Sequence, residues 1–384
     1  MPVRYGIIGV GKQGSMYAKR MTMGHAKNAK LVAIADISED RRAWAKKNLK
    51  GVEIFEDYKE MIEKANLNAV IVVVPHYHHS TIAKYTISHG INTLVDKPIS
   101  VYTKDARELN EFAAQYPETA FGIMYNQRTN PLYKKAKELM EDGTMGSLKR
   151  VSWIITDWYR PQAYYNQGGW RGTWNGEGGG ALINQCPHQL DLIQWIVGMP
   201  IMVRGYTQVG FNRDITVEND VTAYFKYEGG GTGTFITSTH DAPGTNRLEI
   251  DCDGGQIIID KNNMKVVILN EKESIYGQTV KKFMPKPPAK VKKYSMNVAQ
   301  MGLNQLTGQH FGVINAFTKH ITNGTPMIAK GYEGINGLTI SNAIMLSSWT
   351  GEDIHLPINE ERFIEEIGKR KVEEDEYFAK KSAE

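Results

Sequence analysis

Three short segments hold residue types whose spacing could support chemistry on a small molecule. Gly9-Val10-Gly11-Lys12-Gln13-Gly14 fits G-x-G-x-x-G. In that pattern the glycines serve a tight turn, close backbone approach to a pyrophosphate, and close helix–strand packing. The pyrophosphate then meets the positive end of a helix. Gln13 follows Lys12 where a Walker loop needs Ser or Thr. Asp36 stands 22 residues after Gly14, where an acid would bond ribose hydroxyls and repel a 2′-phosphate. That favours NAD over NADP, although Arg41 and Arg42 follow closely and could take a phosphate. In the second segment, Asp96-Lys97-Pro98, the proline restricts Lys97 to an extended backbone and so fixes its direction. The third is Gly178-Gly179-Gly180-Ala181-Leu182-Ile183-Asn184-Gln185-Cys186-Pro187-His188-Gln189-Leu190-Asp191. Its glycines allow close backbone approach to a ligand. Pro187 suits the first turn of a helix. His188 and Asp191, at i and i+3, can share a polar face. By itself a histidine on such a helix is as well explained by packing.

Two further stretches are rich in functional groups. Residues 156–174 hold Trp158, Tyr159, Arg160, Tyr164, Tyr165, Trp170, Arg171 and Trp174. Sugars need both planar faces and hydrogen-bond donors, and an aromatic core explains many of the same residues. Pro75-His76-Tyr77-His78-His79 invites a metal reading, but no carboxylate or cysteine stands at ligand spacing, so none is expected. His310, at a helix start, is a further candidate for the site.

These residues need a scaffold. Up to residue 125, β-branched runs at 5–10, 31–35, 69–74, 91–95 and 119–124 alternate with helical stretches at 13–24, 39–50, 57–65, 79–89 and 103–115. Ala69 to Val74 is apolar throughout, as in a central parallel strand. This alternation predicts an α/β domain over 1–125, a Rossmann dinucleotide-binding sheet. Lys97 then lies at a strand's C-terminal end, where such sheets bind ligands. After a helix at 131–141 come long strands at 148–158, 202–210, 220–227 and 232–239, and a pair at 246–251 and 256–260. They predict an α+β domain over 126–384 with a large, mostly antiparallel sheet. Residues 281–293, basic and proline-rich, are expected to be a solvated loop. Helical stretches follow at 309–322 and 333–348, and the charged tail 360–384 is expected as a surface helix or a frayed end. The 384 residues suit two or three domains, and 41% apolar content can bury a sizeable core. A net charge of +4 gives no ground for a nucleic-acid or membrane partner. No apolar run could span a bilayer, and residues 1–10 do not read as a secretory signal. Two cysteines, Cys186 and Cys252, exclude a disulfide framework, so a reducing cytoplasm is the expected setting.

The GVGKQG turn, the DKP tripeptide and the GGGALINQCPHQLD segment together resemble the Gfo/Idh/MocA oxidoreductases, in plan like inositol dehydrogenase and glucose–fructose oxidoreductase. Pro75 and His79 resemble the family's P-N-x-x-H segment, with His76 where Asn is usual. Tyr125-Asn126-Gln127-Arg128 and Ser341-Asn342-Ala343 with Trp349-Thr350-Gly351 extend the likeness along almost the whole chain. The resemblance implies acid–base work by Lys97 and His188. Asn184 stands in the catalytic segment, where many members carry Asp. Cofactor contacts are implied for Gly9, Val10, Gly11, Lys12, Gln13, Gly14, Asp36, Arg41, Val74, Pro75, His76, His79, Asp96, Lys97, Asn126, Trp170 and Arg171. Substrate contacts are implied for Lys97, Arg128, Tyr159, Arg160, Asn184 and His188. The expected activity is NAD(H)-dependent hydride transfer at a carbinol of a sugar, inositol or glycoside by a homodimer or homotetramer. Transient oxidation with a recycled cofactor, and a non-catalytic sugar- or cofactor-sensing regulator, are the alternatives.

Overall fold

The computed structural model describes residues 1–383 apart from 168, 284 and 297–307. The chain divides into two compact units, Met1–Thr129 with Thr307–Leu338, and Asn130–Leu306 with Thr339–Glu384.

The first unit is built on six parallel strands: β1 (Val3–Ile8), β2 (Ala29–Ala35), β3 (Glu53–Phe55), β4 (Ala69–Val72), β5 (Asn92–Val95) and β6 (Phe121–Ile123). Their order, β3-β2-β1-β4-β5-β6, is the doubly wound order of dinucleotide-binding sheets. All four residues of β4 are buried, as its unbroken apolar run requires. β3 was not anticipated, because three residues are too few to show a period. Helices Lys12–Thr22, Glu39–Asn48, Tyr58–Lys64, His79–Ser88 and Thr103–Ala113 alternate with the strands. Residues 308–338, expected in the second domain, belong here. The helix Gly308–Asn323 buries Phe311, Val313, Ile314 and Phe317 in one core with Tyr5, Ile7, Tyr17 and Met21. Tyr5 Oη and Thr318 Oγ1 share a buried hydrogen bond of 2.8 Å.

The second unit holds a nine-stranded sheet: β7 (Leu148–Ile155), β8 (Met202–Val209), β9 (Glu218–Lys226), β10 (Thr232–Ser238), β11 (Asn246–Cys252), β12 (Gly255–Asp260), β13 (Asn263–Leu269), β14 (Ala289–Ser295) and β15 (Ile354–His355). Its order is β14-β13-β12-β11-β7-β10-β9-β8-β15. Among the described strands of this sheet, only β7 and β10 pair in parallel. The expected loop at 281–293 is corrected in part: from Ala289 the chain forms the edge strand β14 on β13. Lysines on an edge strand are a known way of discouraging further pairing. One face of the sheet is buried, with Trp153, Phe225, Phe235 and Ile250 all fully enclosed. Helices Pro131–Glu141 and Pro187–Val197 pack on each other, and Tyr133 meets Trp153 at 5.7 Å between ring centroids. Gly205 donates its N–H to Ser347 Oγ at 2.9 Å, and a Cβ there would lie 2.3 Å from Ile344 O. The other face is open: Ile154, Tyr206 and Tyr224 are 39%, 60% and 36% exposed.

Candidate active site

In the first unit the glycine turn joins β1 to the helix Lys12–Thr22. A Cβ on Gly9 would come within 2.5 Å of Val73 O, and one on Gly14 within 2.0 Å of Gly9 O. Gly11 faces open space, with nothing within 4 Å of its Cβ position. Two glycines thus close the turn on itself and the third leaves room in front of a helix N-terminus. Asp36 Oδ2 accepts Val10 N–H at 2.7 Å, and Oδ1 accepts Ser38 N–H at 2.9 Å. The acid is therefore held beside the turn, and each oxygen keeps a lone pair for a ribose hydroxyl. Arg42 donates to Asp36 O and Ile37 O and pairs with Glu56 at 2.9 Å, so it braces this loop. Arg41 is exposed on the same helix.

At the end of β5, Asp96 is 7% exposed. Its Oδ1 accepts the Lys97 N–H at 2.8 Å and its Oδ2 accepts the Tyr17 hydroxyl at 3.1 Å. Asp96 thus orients the backbone that carries Lys97. Burial, reinforced by the Asp96 charge, holds the Tyr17 phenol well above its ordinary pKa, so it remains a donor. His310 stacks obliquely on Tyr17, 5.7 Å between centroids. Burial pushes its pKa down; Asp96 opposes this and Lys97 adds to it. His310 Nδ1 and Asn126 Oδ1 are buried without a hydrogen-bond partner. The open cradle before Gly11, the acid at Asp36 and these two unmatched polar atoms fit a dinucleotide with a polar ring.

Two expected contacts read differently in the structure. His79, expected at the cofactor, is 1% exposed, with Nδ1 2.7 Å from Pro98 O and Nε2 2.8 Å from Val74 O. Its ring ties the β4 loop to the segment after Lys97, and burial pushes its pKa down. Arg128, expected at the substrate, is 1% exposed and pairs with Glu333 at 3.0 Å. It lies over the Tyr125 ring, an internal brace of the first unit. Val74 is half-buried, Pro75 exposed and His76 buried, at the end of β4.

In the second unit the glycine triplet leads through a π-helical turn, Ala181–Gln185, into the helix Pro187–Val197. His188 is half-buried in its first turn, and Asp191 is fully buried, accepting Gln194 Nε2 at 2.9 Å. Glu218 fixes the turn: its carboxylate accepts Gly180 N–H at 2.9 Å and Leu182 N–H at 3.0 Å. A Cβ on Gly180 would lie 1.9 Å from Glu218 O, so only glycine fits. Asn184 Nδ2 donates to Glu177 Oε1, and to the Tyr164 hydroxyl at 3.2 Å. The expected amide contact with substrate is corrected to that extent, because both N–H groups already serve protein acceptors. Glu177, 1% exposed, also accepts Gly172 N–H at 2.8 Å and lies 3.5 Å from Arg171. It was missed in the sequence, where only its place before the glycine triplet could have drawn attention. Arg171 stacks over Trp170 and Tyr164, 4.4 and 4.7 Å to the centroids. Arg160 lies over Trp158 and Tyr164 at 5.6 and 4.9 Å. Tyr159 is 48% exposed. Among the described residues no cluster of His, Cys, Asp and Glu could hold a metal ion, and no helix is long and apolar enough to cross a membrane.

A doubly wound sheet, a G-x-G-x-x-G cradle, an acid ending β2 and a lysine beyond β5 define a nicotinamide-dependent oxidoreductase. Residues 3–122 match the family model described as "Oxidoreductase family, NAD-binding Rossmann fold", and residues 133–258 match the GFO/IDH/MocA C-terminal domain. The chain belongs to the GFO/IDH/MocA oxidoreductase family. It is similar to myo-inositol 2-dehydrogenase of Thermotoga maritima, 23% identical over 89% of this chain and 95% of the relative. It is also similar to scyllo-inositol 2-dehydrogenase (NAD(+)) of Bacillus subtilis, 25% identical over 71% of this chain and 79% of the relative. Among solved structures, the WlbA dehydrogenase of Bordetella pertussis, in complex with NADH and UDP-GlcNAcA, superposes with a TM-score of 0.75 at 22% identity. That match covers 94% of this chain and 100% of the other.

Proposed function

We propose that this protein transfers a hydride between NAD(H) and a carbinol carbon of a sugar, inositol or glycoside, with Lys97 and His188 as the acid–base pair. The observation that carries the reading is the β5 terminus, where Asp96 and Tyr17 fix the backbone of a half-buried lysine in a dinucleotide-binding sheet. The names of the inositol dehydrogenase relatives support the substrate class. Gly9, Val10, Gly11, Lys12, Gln13 and Gly14 would cradle the pyrophosphate, and Asp36 the adenosine ribose. Val74, Pro75, His76, Asp96, Lys97 and Asn126 would line the nicotinamide end. Bound there, NAD supplies the hydride acceptor. Lys97 takes the hydroxyl proton as the carbonyl forms. His188 orients that hydroxyl and shares its proton. Asn184, held by Glu177 and Tyr164, keeps the turn before His188 in shape. Tyr159 and Arg160 contact the substrate.

We also propose a homodimer or homotetramer formed through the open face of the nine-stranded sheet. The test of the chemistry is a screen of sugars, inositols, glycosides and sugar acids with NAD and NADP, read by nicotinamide absorbance. Lys97→Met should lower turnover by ~10²–10⁴-fold, the usual loss of a general base, while NAD affinity changes little. Unchanged turnover in the variant would remove Lys97 from the mechanism.

A further inference from the structure

Among the described residues, the second unit carries two neighbouring guanidinium groups without a carboxylate partner and two buried N–H donors without an acceptor. Arg160 is held firmly: its N–H donates to Thr239 O at 2.8 Å, and its carbonyl accepts Arg213 Nε at 2.7 Å. Its guanidinium lies against the Trp158 and Tyr164 rings, and Nη1 reaches Tyr159 O at 3.0 Å. Its Nε is buried and has no acceptor. Trp158 Nε1, on the ring beneath it, is likewise buried with no acceptor. A buried donor left unmatched carries a desolvation penalty, and two in stacked side chains are seldom left so without a purpose.

The charge balance points the same way. Among the described residues neither Arg160 nor Arg213 has a carboxylate within ion-pair distance. Glu177 is committed to Gly172, Asn184 and Arg171. Asp214, next to Arg213, is committed to Lys381 and Tyr377. Gln185 Oε1 is a buried acceptor with no donor, while its Nε2 reaches the Tyr164 hydroxyl at 3.3 Å. Unmatched N–H groups beside unpaired guanidinium call for an oxyanion. An unmatched acceptor calls for a hydroxyl, and the exposed Tyr159 ring and its neighbours offer faces for a sugar's C–H side.

We propose that Arg160 and Trp158 receive an oxyanion group on the substrate, so that the preferred substrate is an anionic sugar, a sugar acid or a sugar phosphate, rather than a neutral one. This rests on the reading of the protein as a carbohydrate dehydrogenase and narrows it.

The test uses the full chain with NAD and matched ligand sets: glucose, glucuronate and glucose 6-phosphate, and their galacto counterparts. Binding is measured by calorimetry and turnover by nicotinamide absorbance on the same samples. At least one anionic member should bind tenfold or more tightly than its neutral parent, and the uronate and phosphate arms identify which oxyanion. Arg160→Gln should reduce that preference roughly 10–100-fold, the range for a hydrogen bond to a charged group. Trp158→Phe, which keeps the ring and removes only the N–H, should reduce it in the same direction, guarding against a misfolded arginine variant. Anion binding that these variants weaken, with no oxidation of any ligand, would sustain the oxyanion site and defeat the dehydrogenase reading. Neutral parents that bind and turn over as well as the anions would overturn the oxyanion site and leave the dehydrogenase standing. Absence of binding by every anionic ligand, or a preference that survives both substitutions, would also overturn it.

Discussion

Glu218 is a carboxylate whose pKa burial pushes up to about 7, against the pull of the Gly180 and Leu182 N–H groups. Its acid form is therefore the one the folded chain prefers. The stability this contributes is present below the unfolded value near 4.5 and is lost as pH rises through about 7. Glu218→Gln copies the acid form at every pH. Its melting temperature minus that of the wild type should accordingly grow between pH 5 and pH 8, by the equivalent of about 3 kcal/mol at most. Parallel curves would show that Glu218 does not titrate in this range. The neighbouring Asn184 shows what a residue's type can and cannot reveal. Its sequence position marks it as part of the catalytic segment, and a neutral amide there reads as a substrate contact. The fold instead satisfies the amide with Glu177 and Tyr164, seven and twenty residues upstream. Polar pairings of that kind are decided by tertiary packing, on which spacing is silent.

The helix Glu360–Ala383 carries a comparable surprise. Expected from its charge as a surface helix or a frayed end, it turns Glu374 inward, 3% exposed. The carboxylate accepts the N–H groups of Trp174 at 2.6 Å and Asn175 at 2.9 Å, and the Thr216 hydroxyl. Glu374→Ala should cost about 3 kcal/mol in urea unfolding, because it leaves buried N–H donors without an acceptor. Glu374→Gln, which keeps one oxygen, should cost less. Equal stability of Glu374→Ala and wild type would mean water replaces the carboxylate. The elements that were legible are those with a strong period: the alternating strands and helices before residue 125, the helix Pro131–Glu141, and most strands of the large sheet. β14 escaped because lysines and a proline cluster hide its alternation, and β13 because only Lys261 and Asn262 separate it from β12. The helix Gly308–Asn323 was legible as a helix with a buried face. An apolar stripe says that a face is covered, not by which part of the chain, so its partner in the first unit was not.

At the scale of the whole molecule, the open face of the large sheet sets the expected assembly. Pairing places Tyr206, Thr222, Ile236, Ile154 and Arg247 in one row, and Arg204, Tyr224, Thr234, Ser152 and Glu249 in the next. Aromatic and aliphatic side chains mixed with both signs of charge suit a self-complementary contact about a two-fold axis. Light scattering at micromolar concentration should give a dimer or tetramer mass, and Tyr206→Glu combined with Tyr224→Glu should lower it. A wild type that is already monomeric would count against this face. The return of the helix Gly308–Asn323 to the first unit has a consequence for biosynthesis. The strands of that unit emerge from the ribosome long before Phe311, Ile314 and Phe317 exist to cover them. At about 5–20 residues per second, the wait between residue 129 and residue 308 is roughly ten to forty seconds. Through that interval the nascent sheet shows apolar surface that only a later part of its own chain can cover. The strands of the dinucleotide-binding unit are thus made before most of the second unit and covered only after it, and chaperones have a window in which to hold them.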